Sequence, residues 1–213
     1  MRALLVADGP SDFVLSRETT SGFALVVATD GAAKKFLDES HLTSPLHLVV
    51  GDLDSISQAT HDALVSRGVE IICNPSQDDC SDLEKAVLVL LRKGVTEIEV
   101  RDALGGRMDH TFASLSVLVR YRNEVSIYIR TTGGDIRVLG PENGEFVLST
   151  QDGDTIGLAP LYDYCEVTIS GTKWPLTHER LAAGTRGVSN VAVGPEVTVC
   201  VHSGLVVLSH VPT

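Results

Sequence analysis

Leu46-His47-Leu48-Val49-Val50-Gly51-Asp52-Leu53-Asp54-Ser55 opens on a nearly continuous apolar run and ends in an acidic loop led by glycine. Runs of this kind suit strands buried on both faces, as in parallel sheets. Helical spacing follows over residues 58–66, and a second short apolar run occupies residues 69–73. Strand, helix, strand is a βαβ unit, and the pattern extends in both directions. Apolar runs at 3–7, 23–28, 97–100 and 125–129 read as further strands, with helical spacing over 32–37, 83–92 and 111–121. The expectation is an α/β fold, a mostly parallel sheet with flanking helices, over residues 1–132.

The texture changes after Gly133-Gly134 and Gly140-Pro141. Short alternating runs at 136–139, 145–148, 155–158, 166–169, 197–201 and 205–208 read as six strands of a small all-β sandwich or barrel over residues 133–213. The runs at 166–169 and 197–201 are apolar enough to predict that a second copy of the chain covers them, in an isologous dimer.

Composition sets outer limits. The chain has 213 residues, 17 Lys and Arg against 28 Asp and Glu, and a formal net charge of −11. Such a surface does not track a nucleic-acid backbone, which asks for clustered positive charge. The first apolar run is cut short by Asp8, too short for a signal segment or a membrane span, and the four cysteines show no CxxC pairing. Both features lead to the expectation of a cytoplasmic protein without membrane association.

In open α/β sheets ligands bind beyond the carboxyl ends of the strands. Four such ends discharge acidic or glycine-rich loops: Thr29-Asp30-Gly31-Ala32-Ala33, Gly51-Asp52-Leu53-Asp54-Ser55, Asn74-Pro75-Ser76-Gln77-Asp78-Asp79-Cys80-Ser81-Asp82, and Arg101-Asp102-Ala103-Leu104-Gly105-Gly106-Arg107-Met108-Asp109-His110. In an extended chain Asp52 and Asp54 point the same way and can face one hard cation such as Mg²⁺. The structural alternatives are that Asp54 or Ser55 caps the helix at 58–66, that Ser81 and Glu84 form a capping box, and that Asp109 caps the helix at 111–121. Carboxylates crowded at Asp78, Asp79 and Asp82 call for a cation or a basic group among them, and Arg107, with a fork suited to phosphate, supplies the positive partner. The chain lacks G-x-G-x-x-G, the P-loop motif and a G-x-S-x-G elbow. The residues alone thus lead to Mg²⁺-assisted phosphoryl or pyrophosphoryl transfer.

Asp30-Gly31-Ala32, Gly51-Asp52-Leu53-Asp54-Ser55, Asp79-Cys80-Ser81-Asp82-Leu83-Glu84-Lys85-Ala86 and Gly105-Gly106-Arg107-Met108-Asp109-His110 resemble, in order and spacing, the motifs of the thiamine pyrophosphokinase family. Lys173-Trp174-Pro175-Leu176 and Ser189-Asn190, followed by Gly204, resemble its C-terminal signature. The resemblance implies an α/β domain joined to a β-sandwich, assembled as a homodimer, with ATP and thiamine as substrates. It places Asp52, Asp54 and Asp82 as metal and catalytic carboxylates, with Arg107 among the catalytic residues. It sets Asp30, Gly31, Asp79, Ser81, Gly105, Gly106, Arg107, Asp109 and His110 around ATP, and Ser189, Asn190 and Trp174 near thiamine. Ala32, Gln77, Ser114 and Val191 depart from the family's usual residues. A related pyrophosphokinase for another hydroxymethyl heterocycle, such as a pterin, and a non-catalytic nucleotide-binding module are the alternatives. Trp174 beside Pro175 also reads as a core or interface anchor.

Overall fold

The computed structural model describes residues 1–10, 13–37, 45–73 and 80–213. The chain divides into two compact units, Met1–Thr131 and Thr132–Thr213. In the first, β1 (Arg2–Val6), α1 (Arg17–Thr20), β2 (Leu25–Thr29), a 3₁₀ turn (Gly31–Phe36), β3 (Leu48–Gly51), α2 (Gln58–Ser66) and β4 (Glu70–Cys73) are followed by α3 (Asp82–Arg92), β5 (Glu97–Arg101), α4 (Met108–Tyr121) and β6 (Ser126–Thr131). The strands pair in the order β6-β5-β1-β2-β3-β4, every pair parallel. Strand order therefore reverses between β1 and β5, the switch point beyond whose carboxyl ends open α/β sheets bind ligands.

Burial explains why these runs became strands. Every residue of Leu48–Gly51 is buried, as both faces of a parallel sheet are covered. Leu4, Val6, Val26, Ala28 and Val49 form one face and pack with Leu64 of α2 and with Ala32, Ala33 and Phe36 of the 3₁₀ turn. Helix α3 packs on β2 and β3, and α4 on β6. The segment expected to be helical after β2 tightens into 3₁₀ form: Ala33 N–H donates to the carbonyl of Asp30, three residues back.

The second unit contains β7 (Gly134–Leu139), a 3₁₀ turn (Pro141–Asn143), β8 (Glu145–Ser149), β9 (Thr155–Pro160), β10 (Tyr164–Ser170), β11 (Leu176–Ala182), β12 (Asn190–Val191), β13 (Glu196–Ser203) and β14 (Val206–Val211). Two antiparallel sheets, β12-β9-β14-β7 and β11-β10-β13-β8, make a sandwich. Its core joins Ile156, Leu158 and Leu208 of one sheet to Val167, Ile169, Val197, Val199 and Val201 of the other. This corrects one expectation. The apolar residues of β10 and β13 face the chain's own core, so they give no reason for a second copy to cover them. Two strands go beyond the expected six: β11 keeps only Leu181 buried, and β12 is two residues long. Neither offers an alternating run to the eye.

Candidate active site

A cavity of about 610 Å³ opens at the carboxyl edge of the parallel sheet. Its walls include Asp30 after β2, Asp52 and Asp54 after β3, Ser81, Asp82 and Lys85 at the start of α3, and Gly105, Gly106, Arg107 and His110 between β5 and α4. Asp8, Gly9 and Pro10 after β1, together with Asp102 and Lys85, also line it; none was singled out as a site residue in the sequence. Asp79 lies outside the described residues. Asp109 and Gly31 stand back from the cavity. A Cβ on Gly31 would lie 2.3 Å from Asp8 Oδ2, so this glycine makes room for Asp8.

Carboxylate oxygens of Asp30, Asp52 and Asp54 lie within 4.8 Å of one another. Asp52 and Asp54 do not converge by extended geometry. Leu53 takes φ 66 in the left-handed region, and Asp54 N–H donates to Asp52 Oδ1 at 3.2 Å, a side-chain-closed turn. Asp30 is the buried member of the set. Burial above all, and then the charge of Asp82, pushes its carboxyl above the usual range; N–H bonds from Gly31 at 2.5 Å and Ser55 at 3.4 Å pull the other way. Three hard oxygen donors, one of them ionised at a cost, fit a divalent cation such as Mg²⁺.

The basic group among the carboxylates is Lys85. Its ammonium, on a side chain only 3% exposed, lies 2.9 Å from Asp82 Oδ1 and 3.9 Å from Asp52 Oδ2. Burial alone would lower its pKa; Asp82 and then Asp52 outweigh that and raise it. Asp82 is thus held by Lys85 rather than in the three-carboxylate cluster. Arg107 forks onto Asp109, with Nε–Oδ1 at 3.1 Å and Nη2–Oδ2 at 2.5 Å, in full view of solvent. Asp109 therefore does not cap α4; Arg107 occupies the cap position without a side-chain bond. Nor do Asp54 or Ser55 cap α2, where Ser57 accepts from Thr60 N–H. Ser81 does cap α3, but Glu84 turns away to Tyr121 Oη at 2.8 Å and leaves the box half made.

Two family models match. The one described as the thiamin pyrophosphokinase catalytic domain covers residues 17–129, and the one described as the thiamin pyrophosphokinase vitamin B1 binding domain covers residues 145–206. The chain belongs to the thiamin pyrophosphokinase family. Thiamine pyrophosphokinase 1 of Arabidopsis thaliana is 26% identical over 197 residues, spanning 82% of this chain and 73% of the relative. The crystal structure of thiamine pyrophosphokinase from Bacillus subtilis shares the fold with a TM-score of 0.79 at 22% identity, over the whole of both chains. That of the Candida albicans enzyme gives 0.84 at 21%, over 100% of this chain and 89% of the other. Family membership makes the chain a diphosphotransferase.

In the second unit of this thiamin pyrophosphokinase family member, the Asn190 amide is buried and fully occupied. It donates to Thr172 Oγ1 at 3.1 Å and the Trp174 carbonyl at 2.7 Å, and accepts from the N–H groups of Trp174 and Val191. Asn190 thus builds the turn that carries Trp174. Trp174 is 54% exposed, with Lys173 Nζ 4.8 Å from the indole centroid, so it is not a core anchor. Ser189 is exposed at φ 60. Among the described residues no helix is long and apolar enough to cross a membrane.

Proposed function

We propose that the chain transfers a pyrophosphoryl group from ATP to the hydroxyl of thiamine, yielding thiamine diphosphate and AMP. The convergence of Asp30, Asp52 and Asp54 in the wall of a cavity on the carboxyl edge carries this reading. When bound by these three carboxylates, Mg²⁺ supplies Lewis-acid neutralisation of phosphate charge. Lys85 holds Asp82 and Asp52 in place and adds a buried positive charge beside the phosphates. Gly105 and Gly106, both at positive φ, let the backbone approach phosphate closely. Arg107, released from Asp109, offers its fork to the transferred group. The thiamine oxygen bonds the β-phosphorus, the bond from that phosphorus to the α–β bridging oxygen breaks, and the hydroxyl proton passes to a cavity carboxylate or water. Positioning and electrostatics supply most of the rate.

For the acceptor, the exposed face of Trp174 suits a thiazolium cation, with Asn190 fixing its turn and Ser189 beside it. A second copy of the chain is the proposed partner, meeting the exposed Trp174, Val188 and Val193. A reducing compartment, the cytoplasm, suits a chain in which none of the four cysteines forms a disulfide. Offering thiamine and a hydroxymethyl pterin separately with ATP and Mg²⁺ tests the acceptor. The expected result is a diphosphate product from thiamine alone; a product from the pterin alone would replace the acceptor.

A further inference from the structure

Lys35 and Asp102 form an ion pair at the point where strand order reverses. Lys35 Nζ lies 2.9 Å from Asp102 Oδ2 and donates to the carbonyls of Ala7 and Gly9, each at 3.1 Å. Its three donors are all engaged, and its side chain is 19% exposed while that of Asp102 is fully buried. Asp102 Oδ1 has no hydrogen-bond partner among the described residues. The backbone of Asp102 sits at φ 56, a region non-glycine residues seldom occupy. A buried, half-satisfied carboxylate on a left-handed backbone is costly and persists where surrounding structure enforces it.

That surrounding structure is three loops of the cavity. Ala7 N–H donates to Arg101 O at 3.0 Å and Gly9 N–H to Asp102 O at 2.8 Å, tying the loop after β1 to the end of β5. Gly9 has no room for a side chain, since a Cβ would meet Asp102 O at 2.3 Å. Gly105 and Gly106 follow and abut the Pro10 ring, where a Cβ on Gly106 would lie 3.2 Å from Pro10 Cδ. Lys35 itself comes from the turn after β2, close behind Asp30.

We propose that the Lys35–Asp102 pair is a positioning device for the nucleotide: the ammonium pins the loops after β1 and β5 to the turn after β2, and so fixes Gly105, Gly106 and Arg107 without touching substrate. Without Lys35, the Asp102 carboxylate is buried without compensation and draws the glycine loop toward solvent. Replacing Asp102 by Asn in that background removes the charge while keeping a residue that tolerates the left-handed backbone, so the loop regains its place.

This inference rests on the reading that the cavity binds ATP. The test uses the full chain as wild type, Lys35→Met, Asp102→Asn and the double variant, well below each melting midpoint. Calorimetry follows binding of α,β-methylene ATP with Mg²⁺, and steady-state kinetics give KM for ATP and for thiamine. Lys35→Met is expected to weaken the analogue and raise KM for ATP about tenfold, with KM for thiamine unchanged and most of the loss recovered in the double variant. A pair that serves stability alone would lower kcat with the folded fraction and leave KM for ATP unmoved, which overturns the inference. Wild-type protein that fails to bind the analogue overturns the ATP reading and this inference together; binding equal in wild type and Lys35→Met overturns this inference alone. Should Lys35→Met not fold, Asp102→Asn alone decides: affinity about threefold weaker supports the pair, and wild-type affinity overturns it.

Discussion

Asp30 combines burial with like charge in the wall of the cavity. It is buried, it faces the charges of Asp82 and Asp52, and its carboxyl is held above the ordinary range. Ionisation of such a group works against the fold, so stability is lost as pH rises from its unfolded toward its folded pKa. A divalent cation reverses this. Asp30→Asn keeps the shape and an oxygen for Gly31 N–H while removing the charge. Without metal at neutral pH the variant is expected to be more stable than wild type, by about 1 kcal/mol. It should also lose the rise in melting temperature that Mg²⁺ gives wild type. Thermal unfolding with and without Mg²⁺ checks both halves, and a variant stabilised by Mg²⁺ as strongly as wild type would remove Asp30 from the metal set. The acidic members of this site were legible because they follow apolar runs. Lys85 and Lys35 were not, since a lysine inside a helical pattern reads as solvated surface until tertiary packing draws it onto a carboxylate. The approach of Asp30 to Asp52 and Asp54 was hidden too, because it depends on β2 and β3 being neighbours.

At the scale of elements, the helix starts show what spacing can and cannot say. Ser57, not Asp54 or Ser55, caps α2, and the acidic pair is thereby freed for the cavity. Sequence places several eligible caps within a few residues, and only the path of the chain selects one. Strand positions of the parallel sheet were legible from apolar runs, whereas β11 and β12 were not, because edge strands need not bury alternate residues. In the second unit the turn after β8 is locked by Asp154. Burial of this side chain would raise its pKa; the bond from His210 Nε2 at 2.8 Å, and then N–H bonds from Gln151 and Thr213, outweigh it and hold the carboxyl at about 2. An unfolded Asp titrates near 3.9, so the lowered value stabilises the fold above that pH, and the benefit disappears as pH falls through about 2. Asp154→Asn is therefore expected to be less stable than wild type at neutral pH, with the two denaturation midpoints converging as the solution is acidified toward pH ~2. A gap that stays constant over that range would show that the carboxylate charge is not what secures the turn.

Across the whole molecule, chemistry and scaffold are distributed unevenly. The first unit gathers the carboxylates, the buried ammonium and the glycine loop around one cavity. The second is a sandwich that presents an exposed Trp174 on a turn secured by Asn190. Family membership and the shared fold extend over both, while the three carboxylates that suit a cation are gathered in the first. An ordinary kinase and a pyrophosphokinase use the same kinds of groups, and they differ in which phosphorus is attacked. The nucleotide product therefore tests the central claim most directly. Purified protein is incubated with ATP, Mg²⁺ and thiamine, and the nucleotides are separated and quantified as thiamine is consumed. The account predicts one AMP for each thiamine diphosphate formed, with no AMP when thiamine is omitted; ADP formed in step with thiamine consumption would contradict it.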